Sequence, residues 1–297
     1  MSKTTVFTGT GVAIVTPMHA DGSVNYKKYR ELVEWQIENG TNAVIACGTT
    51  GESSTLNDEE HVEVIRIAIE QARGRVPVIA GTGSNDTGYC IQLSREAKEL
   101  GSDALLLVTP YYNKTSQRGL VAHYTAIADD VKMPIILYNV PSRTGVDIKP
   151  ETYARLCGNP YIVGIKEAGG NISSIAKTAS LCGDEVDIYS GNDDQIVPIL
   201  ALGGKGIISV MSNIMPAKTS EIAARWFAGD IKGSCALQLE LMDVVTAIFS
   251  DVNPIPVKEA MNLMGMEVGP CRLPLYGMDD QGREALAAVL RRHGLIG

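Results

Sequence analysis

The chain has 297 residues, 45% of them hydrophobic, which is ample for a sizeable core in one large domain or two medium ones. Its formal charge of -8 comes from 34 acidic against 26 basic residues, and no cluster of Lys and Arg is interleaved with aromatics, which argues against a nucleic-acid or anionic-membrane partner. The longest apolar stretches, such as Ala104 to Val108 and Pro134 to Leu137, are far shorter than the roughly 20 residues that span a bilayer, so no membrane segment is expected.

Met1 to Thr5 leads into a strand-like run without the long apolar core of a signal peptide, which predicts a cytoplasmic protein. Short β-branched or aliphatic runs then alternate with longer stretches of helical periodicity, the pattern of βα units in a parallel sheet. Eight strands are read in order: Val12–Val15, Ala43–Ala46, Val78–Ala80, Ala104–Val108, Ile135–Tyr138, Ile162–Ile165, Asp187–Tyr189 and Gly206–Ser209. Gly40, Gly74, Gly101, Gly158, Gly183 and Gly203 each stand between a helical stretch and the next strand, where glycine supplies a left-handed cap cheaply. Asn57-Asp58-Glu59-Glu60 and Lys149-Pro150-Glu151 carry the acids or the proline of a helix start.

Eight consecutive units fit the α/β class, as a (β/α)₈ TIM barrel, better than an open doubly wound sheet. Gly81-Thr82-Gly83 lacks the third glycine and the downstream acid of a dinucleotide fingerprint, and reads as a loop. After about Asp230 the pattern is helical alone: Leu237, Leu241, Val244, Val245 and Ile248 keep a 3.6 period, and a last helix runs from Asp279 to His293. The expected organisation is a catalytic barrel over residues 1–229 with a C-terminal helical region, 230–297, packed on it.

Six cysteines (Cys47, Cys90, Cys157, Cys182, Cys235, Cys271) lie far apart with no Cys-x-x-Cys pair and read as reduced thiols. The four histidines, His19, His61, His123 and His293, show no metal-ligand spacing, so no catalytic metal is expected.

In such barrels the active site is built at the carboxyl ends of the strands. Lys166 ends the apolar sixth strand, where burial disfavours the ammonium and a downward pKa shift supplies a nucleophilic amine; an ion pair with Glu167 is the alternative. Tyr138 and Tyr112 lie at the same rim and, with Thr49, form either a hydroxyl chain that relays protons or ordinary packing. Gly48-Thr49-Thr50-Gly51 is either a carboxylate-binding turn or a plain βα turn. Arg143, in a loop stiffened by Pro141, is placed to grip a second carboxylate or to make a surface salt bridge.

From about Gly9 to the C-terminus the chain resembles the dihydrodipicolinate synthase family of pyruvate-dependent class I aldolases. The resemblance rests on Gly48-Thr49-Thr50-Gly51-Glu52, on Gly164-Ile165-Lys166-Glu167 and, more specifically, on Tyr138-Asn139-Val140-Pro141-Ser142-Arg143-Thr144-Gly145. It implies condensation of pyruvate with L-aspartate 4-semialdehyde to 4-hydroxy-tetrahydrodipicolinate, the committed step toward diaminopimelate and lysine. Lys166 would carry pyruvate as an imine, without an external cofactor. Tyr138, Thr49 and Tyr112 would relay protons, Tyr112 reaching a neighbouring subunit's site; Thr50 would hold the pyruvate carboxylate and Arg143 that of the semialdehyde. Gly191 and Ile208 would line the pocket. The resemblance further implies a homodimer or a homotetramer built as a dimer of tight dimers.

Some members bind lysine in a dimer-interface cleft, whose counterparts here are Ser53, Ser54, Asp58, His61, Asn85, Tyr89 and Tyr111. Tyr89 stands where sensitive members carry a glutamate, and Asp58 where they often carry histidine, so weak or absent lysine inhibition is expected. N-acetylneuraminate lyases and 2-keto-3-deoxy-sugar acid aldolases share Lys166 and Tyr138, but generally place no arginine at the position of Arg143. A non-catalytic barrel sensing a keto acid or amino acid is the rival of another class, disfavoured by the intact Lys166, Tyr138, Thr49 and Tyr112 set.

Overall fold

The computed structural model describes residues 3–297. Eight parallel strands close into a barrel in sequence order: β1 Gly9–Ala13, β2 Ala43–Ala46, β3 Val78–Gly81, β4 Ala104–Val108, β5 Ile135–Asn139, β6 Ile162–Glu167, β7 Asp187–Ser190 and β8 Gly206–Ser209, with β1 pairing β8. Helices connect the strands, as the alternation of periods predicts. The first strand starts three residues and ends two residues earlier than its apolar run suggests. Its ladder begins at Gly9 opposite Gly206 on β8, where the backbones meet so closely that a Cβ on Gly206 would stand 1.8 Å from the Gly9 carbonyl oxygen. Ile14 and Val15 continue the run beyond the strand, buried against the barrel top, with the Val15 amide donating to Asn213 Oδ1 at 3.1 Å.

The helix starts behave as read. Asn57 and Glu60 form a reciprocal capping box on the helix Asp58–Ala72, and Pro150 occupies the first turn of the helix Pro150–Leu156. Gly158 departs from the expected cap: the helix before it ends through Cys157 in right-handed geometry, so no left-handed residue is needed there. The C-terminal periodicity over Leu237 to Ile248 is divided at Leu241 between helices Ile231–Glu240 and Met242–Ile248. A further helix, Ile255–Leu263, precedes the last, Asp280–Arg292, which Asp279 caps at its start.

Two apolar layers position the site. Helices pack on the outer face of the strands, while Phe7, Ile45, Ile79, Leu106, Ile136 and Ile208 help to fill the barrel interior. Because side chains alternate along a strand, residues in register on adjacent parallel strands face the same way. Lys166 is in register with Tyr138 on β5 and Tyr189 on β7; the two tyrosines belong to the interior cluster, and the Lys166 ammonium group lies over the Tyr138 ring. Glu167 is in register with Asn139 and Ser190 and faces outward.

Candidate active site at the barrel mouth

Lys166 is 5% exposed at the end of β6, and its Nζ lies 4.2 Å from the centroid of the Tyr138 ring. Burial brings its pKa down from 10.5 to about 7; Asp193 opposes the shift and the Arg143 guanidinium adds to it. The cation–π contact favours the ammonium, yet desolvation outweighs it. Gly191 keeps this space open: a Cβ there would stand 2.8 Å from Ala168 Cβ and 3.2 Å from Lys166 Cε. Ile208, fully buried on β8, packs in the same interior cluster as Tyr138 and Tyr189. Tyr189 donates its hydroxyl to the Phe7 carbonyl at 2.7 Å and stacks on the Phe7 ring, which closes the barrel beneath the lysine.

The Tyr138 hydroxyl is held above its ordinary pKa by burial, while the Arg143 guanidinium and the Thr49 hydroxyl favour its phenolate. Thr49 and Tyr138 also line a cavity of about 30 Å³ that reaches Ser53 and Leu106. Arg143 lies on the exposed turn Pro141–Thr144, fixed by the proline at its start and by left-handed Gly145 at its end. Thr144, buried beneath it, accepts a hydrogen bond from Thr109 Oγ1 at 2.8 Å. Among the described residues Arg143 makes no salt bridge, so its guanidinium is uncommitted within the chain.

Glu167 is not the partner of Lys166. Its carboxylate accepts from Asn139 Nδ2 at 3.0 Å, the Gly169 amide at 2.7 Å and the Tyr153 hydroxyl at 3.2 Å, on the outer side of the strand. Burial raises its pKa to about 7 despite these donors. The acid whose charge acts on Lys166 is Asp193, which follows β7 and is 2% exposed. Its oxygens accept from Ser209 Oγ at 2.5 Å and from the Val210 and Met211 amides at 3.0 Å. The sequence marks it only as an acid three residues beyond the end of the seventh strand, at the barrel mouth.

Thr50 is buried and its Oγ1 accepts from Asn253 Nδ2 at 3.0 Å, a contact across 203 residues. Tyr112 is set apart from this cluster within one chain. It projects from the loop after β4 with φ 67° and is 91% exposed.

The residues matched to an effector cleft have different surroundings. His61 is buried, with Nε2 2.8 Å from the Gly81 carbonyl, and burial lowers its pKa. Asn85 and Tyr111 are joined through the Tyr111 carbonyl, which accepts from Asn85 Nδ2 at 3.1 Å. Tyr89 donates its hydroxyl to Asp58 Oδ1 at 2.6 Å, so the two departures from the sensitive pattern satisfy one another. Among the described residues no group of three or more His, Cys, Asp or Glu side chains could hold a metal ion, and no helix is long and apolar enough to cross a membrane.

The model of the dihydrodipicolinate synthetase family matches residues 6–293. The 4-hydroxy-tetrahydrodipicolinate synthase of Lachnoclostridium phytofermentans is 56% identical over 292 residues, which cover 98% of this chain and 99% of that protein. The enzyme of the same name from Acetivibrio thermocellus is 53% identical over 291 residues, with the same coverage. Among solved structures, the chloride-inhibited dihydrodipicolinate synthase from Acinetobacter baumannii complexed with pyruvate superposes with a TM-score of 0.96 at 46% identity, covering 98% of this chain and all of that one.

Proposed function

Because the chain belongs to the dihydrodipicolinate synthetase family, we propose that it condenses pyruvate with L-aspartate 4-semialdehyde to give 4-hydroxy-tetrahydrodipicolinate, through an imine on Lys166. The observation that carries this reading is the desolvated Lys166 amine, with a pKa of about 7, set against Tyr138. At neutral pH a substantial fraction of that amine is neutral and can attack a ketone.

Attack of Nζ on the keto carbon gives a carbinolamine, and protonation of its hydroxyl lets water leave as the imine forms. Tyr138 and Thr49 are assigned the transfer of these protons, which their place on one small cavity supports. The protonated imine draws electrons from the pyruvate methyl, which loses a proton to become an enamine, and the enamine carbon attacks the aldehyde. The amino group of the semialdehyde then adds to the imine carbon and displaces Lys166, closing the ring and freeing the enzyme. The net reaction releases one water. All of these steps use the amine and the hydroxyls of the chain itself, with no external cofactor.

Thr50 is assigned the pyruvate carboxylate, and the uncommitted guanidinium of Arg143 the carboxylate of the semialdehyde. Gly191 and Ile208 shape the space beside the lysine. Tyr112, an aromatic almost wholly in water on a strained backbone, is assigned to a neighbouring subunit's site, which calls for at least a homodimer. A cytoplasmic location goes with this reading. The test is turnover: the protein should consume pyruvate with aspartate semialdehyde and leave N-acetylmannosamine untouched, and the reverse preference would overturn the assignment.

A further inference from the structure

The loop Gly48–Glu52 is held in an unusual shape. Two non-glycine residues bracket it in the left-handed region, Cys47 at φ 54° and Glu52 at φ 56°, a conformation that persists only where the surroundings enforce it. The loop's own hydrogen bonds, from the Gly51 amide to the Gly48 carbonyl and from the Glu52 amide to the Thr49 carbonyl, close its turn but do not fix its position on the barrel.

Its fixings come from the far end of the chain. The Glu52 carboxylate, 2% exposed, accepts from Lys258 Nζ at 2.7 Å on one oxygen and from the Arg272 amide at 2.8 Å on the other. Lys258 is 1% exposed, and its three donors meet three acceptors: Glu52 Oε1, the Thr16 carbonyl at 3.1 Å and the Pro270 carbonyl at 2.6 Å. Thr16 in turn donates its hydroxyl to the Gly51 carbonyl at 2.7 Å. Beside this pair Asn253 Nδ2 donates to Thr50 Oγ1, while its Oδ1 has no partner among the described residues. A threonine oxygen that accepts from Asn253 keeps its own proton to donate elsewhere.

A buried ion pair of this kind is weak evidence for net stability, because desolvation of both charges offsets their attraction; fixing one geometry is the better-attested use. We infer that Asn253 and Lys258, on the helical C-terminal region, are positioning residues that hold the Gly48–Glu52 loop in its carboxylate-binding shape, Asn253 by orienting the Thr50 hydroxyl and Lys258 by anchoring Glu52. The inference rests on the assignment of Thr50 to the pyruvate carboxylate. It gives the C-terminal region a part in recognising the keto acid although none of its residues touches the reacting atoms.

Steady-state kinetics of Asn253→Ala, with borohydride trapping of the pyruvate adduct alongside, test it. The variant removes a single neutral hydrogen bond, so the KM for pyruvate should rise on the order of tenfold. The KM for aspartate semialdehyde should stay within about twofold, and saturating pyruvate should still load Lys166. An unchanged pyruvate KM, or an equal rise in both KM values, overturns the inference. Lys258→Met, which leaves Glu52 buried and unpaired, should lose thermal stability; the double variant Glu52→Gln with Lys258→Met removes the charges together. Lys258→Met should also raise the pyruvate KM; if the double variant melts near the wild type yet keeps that raised pyruvate KM, anchoring is supported, and a wild-type pyruvate KM in the double variant overturns it. Failure of the unsubstituted protein to trap pyruvate on Lys166 would instead sink the proposed reaction, so the two failures are distinguishable.

Discussion

Tyr138 and Lys166 are register partners on adjacent strands of the barrel, and the lysine nitrogen lies 4.2 Å from the centre of the phenol ring. Their pairing follows from strand alternation alone: both face inward, both are buried, and the space for the lysine stem is preserved by Gly191 opposite. An amine in that position is costly when charged, and two nearby charges of opposite sign, Asp193 and Arg143, act on it from different loops.

The pH dependence of imine formation follows. With Lys166 at about 7, the rate of borohydride-trappable adduct formation should rise through pH 7 and level off above about 8. Removing the Arg143 charge should move the rising limb to higher pH, because Arg143 lowers the lysine pKa. Asp193→Asn should move it to lower pH, because Asp193 raises it. Stopped-flow or quench measurements across pH 5.5 to about 9 check both signs, and shifts in the same direction would contradict the assignment of the two charges.

Stability gives a second prediction. The folded lysine pKa lies below that of the unfolded chain, so between about 7 and 10.5 the unfolded chain binds the extra proton and stability rises with pH across that window. The cost is fully present below pH 7 and is relieved toward pH 10.5. Lys166→Met removes it, at the expense of catalysis. Its thermal midpoint at pH 7 should exceed that of the unsubstituted protein by several degrees, since ~1 kcal/mol is worth about 2 to 4 °C in a chain of this class. A lower midpoint would show that the amine stabilises the fold.

Arg143→Ala should raise the KM for aspartate semialdehyde on the order of 10- to 100-fold, the worth of a charge-assisted contact of about 1.5 to 3 kcal/mol. At saturating pyruvate and pH 9, where the lysine is neutral in either protein, the variant should still trap pyruvate at a near-normal rate. Equal loss in both assays would refute a specific grip on the second substrate.

Lysine should inhibit weakly or not at all. The Tyr89 hydroxyl already binds Asp58, and no carboxylate stands where an effector's ammonium would need one from position 89. Tyr89→Glu should make the enzyme more sensitive to lysine by roughly tenfold or more. Submillimolar inhibition of the unsubstituted enzyme in a steady-state assay would count against this reading of the cleft.

Much of this was legible in the sequence because it depends on local pattern. Ala43–Ala46, Ala104–Val108 and Gly206–Ser209 are strands with the bounds their apolar runs predict, and the lysine at the end of the sixth run lies inside the barrel mouth. The first strand runs over Gly9–Ala13 and not over the apolar run Val12–Val15, because its ladder is set by glycine contacts with β8 and not by hydrophobicity. Asp193, Asn253 and the Glu52–Lys258 pair stayed hidden for another reason. Asp193 shows its importance only when β7 and β8 are neighbours, and the other contacts span more than 200 residues, a separation on which periodicity carries no information. The expected Lys166–Glu167 alternative failed on geometry, since adjacent residues of a strand face opposite sides.

The most direct test of the central claim is to incubate the protein with pyruvate and borohydride, digest it, and locate the reduced adduct by mass spectrometry. One modified peptide is expected, carrying the adduct on Lys166, and none in a Lys166→Met variant. An adduct on another lysine, or no adduct in the unsubstituted protein, would contradict that claim.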